Sequence, residues 1–557
     1  MYSGHGRNTL AFMDSLSGPD GSLWSNIKFL KSTYMKKISM LFALIVAFSV
    51  MFVSCGGGDD KYVSAVPANS AVLAKVNLGN MINESEILEQ PLVKMGLGLA
   101  QSALPQEAKD ILNEILENPS NSGIDASKPV ILAVSLEPMS IVVSMPVSNK
   151  GRINEVVDNF LDGTGVHVVL RNGVSYIDFG GSDDVEVAYD SDMMIVAAVE
   201  KGKADAAHYM NLDSKEQAVK DAKFRDFFAK KSDASLYVDL SPIFDFSMKQ
   251  GTVSDVDKMM FALYSSYDIS SLINLNFENG YAQIDSKVYG SDDYLEMLDE
   301  CWKKPNGKLL EFVPEDAVAV FNMAVDMETV FDNYPALEEE LLPLEEIGLD
   351  IPVLETIDGD MMLAVLPAEK LGVQLLPQLM AALECDDRAL FDAVVECLGE
   401  DALEPVAEDV YALGLNTYYD YNTFEKTSGG YDYYLMYKEG AIFVIPENIY
   451  GLVADGNGLK ALKGNVMDNK IFAPLAKPGF VCDAKGAIEM LKLFTNDSKD
   501  VKVAIDILSK FESMVAVYEN PKEGYFRINM VDGQTNFLKQ VIEMSMGAAA
   551  SAMMGGF

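Results

Sequence analysis

Residues 280–290 read GYAQIDSKVYG, and residues 524–530 read GYFRINM. Both stretches open with Gly-Tyr, and apolar and polar side chains then alternate, which is typical of a β-strand with one buried face. The stretches lie about 240 residues apart, and their apolar positions stay in phase. A slip of one residue would turn the apolar side of a strand toward solvent, so the shared phase predicts two copies of one strand.

Three further pairs of segments recur in the same order and at a similar distance. They are Val66-Pro67 and Val313-Pro314 before apolar strands, the amphipathic helical faces at 153–160 and 391–398, and the hairpin turns after Tyr189 and Tyr437. Four matches in one order predict an ancient duplication, against the alternative of chance similarity between strand and turn patterns.

Each predicted unit places helices between strands that form hairpins. Examples in the first unit are a helix at 105–117, strands at 130–136 and 141–147, and a helix at 214–229 that Ser214 and Gln217 would cap. Hairpin strands with segregated helices indicate the α+β class, with a largely antiparallel sheet and helices packed on it, rather than a doubly wound sheet.

The predicted units are tandem and duplicated. The first covers residues 62–305 and the second residues 306–545, and the turn-prone Pro305-Asn306-Gly307 separates them. The tail at 546–557 is rich in Gly, Ala and Met, and we expect it to be disordered.

The N-terminal region carries the pattern of a bacterial lipoprotein signal. Lys36-Lys37 precede an uncharged apolar run at 38–53, and Ser54-Cys55 ends a lipobox in which Cys55 would be acylated. The run is shorter than the roughly 20 residues that span a bilayer, which argues against a transmembrane helix. The sequence therefore predicts a signal peptide at 35–54 and a flexible acidic tether at 55–61. Residues 1–34 would be a wrongly assigned upstream extension.

The charge balance limits the classes of partner. The chain has a formal net charge of −41, and removal of the first 54 residues leaves 38 basic and 82 acidic residues, a net charge of −44. Such a balance repels nucleic acid and anionic lipid surfaces. Because 49% of the residues are hydrophobic, we expect a folded body despite this charge.

Motifs for catalysis, metal ions or nucleotides are missing from the sequence. It contains no G-x-S-x-G elbow, no phosphate-binding loop and no C-x-x-C pair, and His167 and His208 are the histidines after the signal. We expect no metal and no cofactor. Adjacent carboxylates such as Asp183-Asp184 could serve calcium or a carboxylate enzyme, but they lack the spacing of a calcium loop. A disulfide between Cys301 and Cys482 stays open.

A tyrosine-rich segment is the strongest candidate for ligand binding. Its members are Tyr418, Tyr419, Tyr421, Tyr431, Tyr433 and Tyr434, on both sides of Ser428-Gly429-Gly430. Exposed tyrosines could stack on sugar rings or anchor a protein. The alternative is a pair of strands that covers the edge of the core.

This combination resembles a family of acidic Bacteroidetes lipoproteins known as a domain of unknown function. The resemblance is carried by the Lys36-Lys37 signal ending at Cys55, the spacer Gly56-Gly57-Gly58-Asp59-Asp60 and the strand opening Val66-Pro67. In that phylum, acidic residues soon after the lipidated cysteine look like a surface-export signal. The resemblance therefore implies an outer-membrane lipid anchor with Asp59 and Asp60 directing surface display, or otherwise a periplasm-facing protein. It implies no catalytic residues.

Three functions are consistent with the sequence. The first is a non-enzymatic cell-envelope lipoprotein that binds a protein or another macromolecule through one of its two α+β units. The second is a glycan-binding component of a surface uptake system, and the third is an enzyme with an unrecognised carboxylate site.

Overall fold

Helices and antiparallel β-sheet build the chain, so the predicted α+β class is confirmed. The structure is a computed structural model. It describes residues 60–554 apart from 92, 96–105, 118, 161–165, 180–182, 250–254, 335–336, 338–340, 342, 345–347, 372–373, 400–401, 414–416, 420–425, 429–432, 456–457 and 496–498.

The described residues form two compact units. The first contains the chain as far as Asn276 together with Tyr289–Ser291, and the second contains Phe277–Val288 and the chain from Asp292 onward. Compactness does not identify a repeat, so the duplication boundary near 305–307 stays a prediction.

The strands and helices of the first unit follow the predicted hairpins. The strands are β1 Val72–Val76, β2 Val130–Leu136, β3 Met139–Pro146, β4 His167–Arg171, β5 Val174–Asp178, β6 Val185–Tyr189, β7 Met193–Val199, β8 Ala234–Asp239 and β9 Ser270–Glu278, which carries the chain into the second unit. The helices are α1 Leu78–Ser85, α2 Gln106–Glu117, α3 Lys150–Phe160, α4 Ala206–Tyr209, α5 Arg225–Ala229, α6 Leu240–Lys249 and α7 Asp255–Ser266. Short 3-10 helices lie at Lys61–Ala65, Ile87–Glu89, Pro119–Ser122, Ser214–Glu216, Ala218–Lys220 and Ala222–Phe224.

The sheet of the first unit has the order β9–β8–β1–β2–β3–β7–β6–β5–β4, with every pair antiparallel. Each of its faces carries a buried core. Ile153 and Ile115 pack with Val143 and Val196 on one face, and Leu73 packs with Ile195 and Phe227 on the other. The alternation of side chains along each strand places these two sets on opposite faces.

The second unit begins with the strand that opens at Gly280-Tyr281. Its strands are β10 Tyr281–Tyr289, β11 Ala319–Asp326, β12 Ile357–Leu371, β13 Gln374–Cys385, β14 Leu403–Ala407, β15 Val410–Leu413, β16 Thr417–Tyr419, β17 Lys426–Ser428, β18 Tyr433–Lys438, β19 Ala441–Pro446, β20 Ala454–Asp455, β21 Gly458–Leu459, β22 Gly479–Asp483, β23 Phe511–Asn520 and β24 Glu523–Met530. Its helices are α8 Asp292–Glu300, α9 Met327–Asn333, α10 Ile351–Leu354, α11 Ala389–Leu398, α12 Glu447–Val453, α13 Ala484–Phe494, α14 Lys499–Leu508 and α15 Phe537–Met554, with 3-10 helices at Lys308–Phe312, Val466–Asp468 and Ala473–Ala476.

The main sheet of the second unit has the order β10–β24–β23–β22–β11–β12–β13–β19–β18–β15–β14, again antiparallel throughout. Val320, Phe443 and Val515 lie in the core on one face. On the other face, Leu435 and Phe391 form a second core near β18, and Ala282, Met530 and Phe537 form a small cluster under α15.

Two predicted segments differ from the structure. The helix expected at 214–229 is divided into short 3-10 turns and α5. Gln217 forms a bridge with Pro67, which requires extended backbone there, and the capping box joins Asp213 and Glu216 instead of Ser214 and Gln217. The tail expected to be disordered from 546 continues α15 as far as Met554, because Ala and Met are strong helix formers.

Candidate functional site

One face of the second sheet carries a row of apolar side chains that crosses seven strands. Neighbours in this row are direct cross-strand partners. In order from β10 to β13 the row is Ile284, Phe526, Ala516, Phe480, Phe321, Leu363 and Ala381. The next row on the same face is equally apolar, with Leu379, Val365, Ala319, Cys482, Met514, Ile528 and Ala282. We call these two rows, with Tyr518 beside them, the apolar face.

The apolar face is only partly covered. Helix α13 contacts β12, β13, β22 and β23, and α15 packs over Ala282 and Ile528. Six large side chains nevertheless remain 36–54% exposed, namely Ile284, Leu363, Leu379, Met514, Tyr518 and Phe526. Because burial of apolar surface yields about 25 cal/mol per Å², a partner that covered them would gain substantial free energy.

Charged pairs and one tryptophan border the apolar face near Tyr518. Lys477 pairs with Glu519, and Lys522 Nζ lies 2.6 Å from Asp299 Oδ2. The Trp302 ring meets the Tyr518 ring edge-on, with centroids 6.4 Å apart. An apolar centre with aromatic and methionine side chains and a charged rim is the usual composition of a protein interface.

Sequence reasoning did not identify this surface. The signal was present in β12 and β13, where MMLAVLP and QLMAALEC carry apolar residues at successive positions. Strands with two apolar sides are expected to be covered on both. The sequence does not say how much of each side the helices cover.

The first unit contains a buried lysine, Lys75, whose pKa is shifted. Lys75 lies on β1, and its Nζ donates hydrogen bonds of 2.7 Å to the carbonyl oxygens of Phe227 and of Lys230. Burial lowers its pKa to about 8. The side chain thus ties β1 to the segment that follows α5, which is a structural task.

Two buried carboxylates have structural tasks as well. Asp239 pairs with Lys223, and burial raises the pKa of its carboxyl. Asp360 accepts hydrogen bonds from the backbone N–H groups of Asn306 at 2.9 Å and Gly307 at 2.7 Å, and burial likewise raises its pKa. This carboxylate holds the turn at 306–307 in place.

The predicted tyrosine site is divided by the structure. Tyr433 is buried, and its hydroxyl accepts a hydrogen bond from the Leu379 N–H at 3.2 Å, so its ring belongs to the core. The half-buried Tyr434 stacks on Tyr450 with centroids 3.9 Å apart. Tyr418 and Tyr419 lie on β16, paired with β17. Tyr421 and Tyr431 are outside the described residues, and ligand binding by this segment stays a prediction.

The lipidation and export residues fall mostly outside the described chain. Cys55 and Asp59 precede it, whereas Asp60 is its first residue. Asp60 Oδ1 lies 2.5 Å from Lys128 Nζ, and the first 3-10 helix starts at Lys61. The second residue of the acidic pair is therefore ion-paired to the first unit.

The remaining candidate chemistry can be placed within the described part of the chain. Cys301, Cys385, Cys397 and Cys482 are free thiols, which closes the question of a Cys301–Cys482 bridge. No three side chains of His, Cys, Asp or Glu come together as a metal site in these ranges. None of the helices described is both long and apolar enough to cross a membrane.

Comparison with known proteins gives one clear match. The family model described as a domain of unknown function (DUF4836) matches residues 62–448. No curated protein matches. Among solved structures, crystal forms I, III and IV of TP0453 are similar at 11–12% identity and TM-scores of 0.23–0.24, covering 42% of this chain and 80–81% of theirs. At these scores the similarity supports no inference about this chain.

Proposed function

The chain belongs to the DUF4836 family, a domain of unknown function, so we propose its function from its own residues. It is a non-enzymatic cell-envelope lipoprotein that binds a protein partner through the apolar face. One observation carries this proposal. Six large apolar side chains stay exposed on one sheet face of a chain whose net charge is −41. Exposed apolar patches with polar rims are typical of interaction sites.

The charge of the chain favours a protein over other partners. Nucleic acids and anionic bilayers repel a body with 82 acidic and 38 basic residues. A protein can match the apolar centre and also satisfy the charged rim at Lys477 and Lys522. The same rim gives a partner directional contacts.

The lipid anchor and its location are part of the proposal. The lipobox at Cys55 supports acylation, and Asp59 and Asp60 support display on the outer membrane at the cell surface. Metabolic labelling with a fatty-acid analogue tests the anchor. We expect label on the natural chain and none on Cys55→Ala, and labelling of that variant would contradict acylation at Cys55.

The non-enzymatic assignment is supported by the tasks of the buried ionisable groups. Lys75, Asp239 and Asp360 each bond to backbone or to a charged neighbour. A catalytic group with a shifted pKa would instead face a cleft.

An internal duplication is the proposed origin of the two units. Its support is the strand order. If the strands of β9–β8–β1–β2–β3–β7–β6–β5–β4 are matched one by one to those of β23–β22–β11–β12–β13–β19–β18–β15–β14, the order along the chain is the same in both sheets. Each order places the unit's first strand beside one from near its end. A solved structure whose units do not superpose strand for strand would reject the duplication.

Site-specific photocrosslinking in cells tests the binding surface. A photoreactive phenylalanine analogue replaces Leu363 or Phe526 of the full chain. We expect a discrete protein adduct from each position, because both side chains are exposed on the apolar face. An adduct of twice the chain's mass would identify the partner as a second copy.

The matched control is Leu170, which is 68% exposed on β4 of the first unit. We expect no discrete adduct from this position. Equal adducts from 170, or no protein adduct from 363 and 526, would contradict the proposed surface.

A further inference from the structure

Arg527 lies on β24 directly opposite Gln283 on β10. Its guanidinium carbon lies 4.6 Å from the centroid of the Tyr281 ring and 5.1 Å from that of Tyr525. Arg527 follows Phe526 in the strand, so the two side chains project from opposite faces of the sheet. The group is therefore separate from the apolar face.

Hydrogen bonds fix the orientation of this guanidinium. Arg527 Nε donates to Gln283 Oε1 at 2.7 Å, and Gln283 Nε2 in turn donates to Asp285 Oδ1 at 2.6 Å. The second bond holds the acceptor oxygen of Gln283 toward the arginine. Within the described part of the chain, the two terminal nitrogens of Arg527 donate no hydrogen bond and form no ion pair.

The other described arginines are used differently. Arg152, Arg225 and Arg388 each lie within 4.0 Å of a carboxylate. Arg171 is exposed over the Tyr176 ring. Among the residues described, Arg527 is the half-buried arginine without a carboxylate, in a chain with 84 acidic residues. Its guanidinium contacts the two tyrosine rings, and Asp285 is linked to it only through Gln283.

We propose that Arg527, held by Tyr281, Tyr525 and Gln283, is a binding site for an oxyanion. The two terminal nitrogens form the planar fork that pairs with two oxygens of a carboxylate, sulfate or phosphate group. Ring contacts on the guanidinium and the bond to Gln283 leave the fork little freedom to lose when the anion binds. The ligand is therefore a molecule that presents such a group, free or attached to a larger molecule.

Arginine side-chain NMR of the full chain tests the site. Sodium sulfate, sodium phosphate and sodium acetate are titrated separately at an ionic strength held constant with sodium chloride. We expect the Arg527 Nε resonance, which Arg527→Lys removes and thereby assigns, to shift and saturate with at least one anion. Saturation with acetate alone would identify a carboxylate ligand, and saturation with sulfate or phosphate a tetrahedral one.

Calorimetric titration of variants provides the second measurement. We expect Arg527→Lys to weaken the anion about tenfold, because lysine keeps the charge and loses the fork. The matched control Arg388→Gln removes an arginine already paired with Asp392 and should leave the affinity unchanged. Shifts of Arg527 that stay linear with every anion would mean an adventitious ion only and would overturn the proposal, whether or not the variants fold.

Discussion

Lys75 in the first unit and Asn322 in the second are both buried hydrogen-bond donors on a strand in the middle of its sheet. Each lies on a strand that has neighbours on both sides, two residues after a buried apolar residue, Leu73 or Val320. Each donates to the backbone of the segment that leads into a neighbouring strand of the sheet. Lys75 donates to two carbonyls before β8, and Asn322 Nδ2 donates to Leu475 O before β22 at 3.1 Å. Both side chains therefore serve as donors to backbone carbonyls, and Lys75 differs in carrying a titratable charge.

The largest expected effect is that of Lys75→Ala. This change removes a long buried side chain and leaves the carbonyls of Phe227 and Lys230 without their donor. We expect the free energy of unfolding of the first unit to fall by about 3 kcal/mol. Urea denaturation of the full chain, followed by circular dichroism, should show one transition moved to lower urea. A change below 1 kcal/mol would contradict the importance of the donor.

The charge of Lys75 predicts a smaller effect that depends on pH. Its pKa is about 8 in the folded chain and 10.5 ordinarily. The unfolded chain thus binds the extra proton between these values, and stability should rise with pH. We expect the free energy of unfolding of the first unit to rise by roughly 2 kcal/mol between pH 7 and pH 9.5. The reference is Lys75→Met, which lacks the titrating amine, and the transition to follow is the one that Lys75→Ala shifts.

Buried tyrosines affect stability only above that pH range. Burial raises the pKa of Tyr237 above its ordinary value of 10.0, so its contribution to stability is lost only at more alkaline pH. Equal pH profiles for the natural chain and Lys75→Met would show that Lys75 keeps its proton throughout.

The smallest expected effect is that of Asn322→Leu. The buried Asn322 Oδ1 has no hydrogen-bond partner, so its removal offsets part of the loss that Leu475 O suffers. We expect the second unit to lose about 1 kcal/mol or less, measured in the same urea experiment. A loss as large as that of Lys75→Ala would show that both units depend equally on this donor.

The hairpins and amphipathic helices were predictable because their signals are local. The turns after Tyr189 and Tyr437 join β6 to β7 and β18 to β19, and the faces at 153–160 and 391–398 lie on α3 and α11. Alternation along a strand and spacing along a helix are read within a few residues.

The features that sequence missed depend on distant partners. Gln217 is extended because it forms a β-bridge with Pro67. Tyr433 is buried because β18 lies between β15 and β19 and its ring joins the core around Phe391. The open part of the apolar face depends on where α13 and α15 end. Arg527 follows Tyr525 by two residues and reads as an ordinary polar position of an alternating strand, and only the pairing of β24 with β10 brings Tyr281 and Gln283 to it.

The central position of β1 and β11 has a consequence for the time course of folding. Val72 pairs with Val238, and Ala319 pairs with Cys482. On one edge of each strand, the pairing partner therefore lies about 160 residues further along the chain. During synthesis one edge of each strand is unpaired for many seconds at about 5–20 residues per second. A nascent chain stopped before β8 or β22 would expose that edge as a template for aggregation, so the folding of each unit is completed only by its last third.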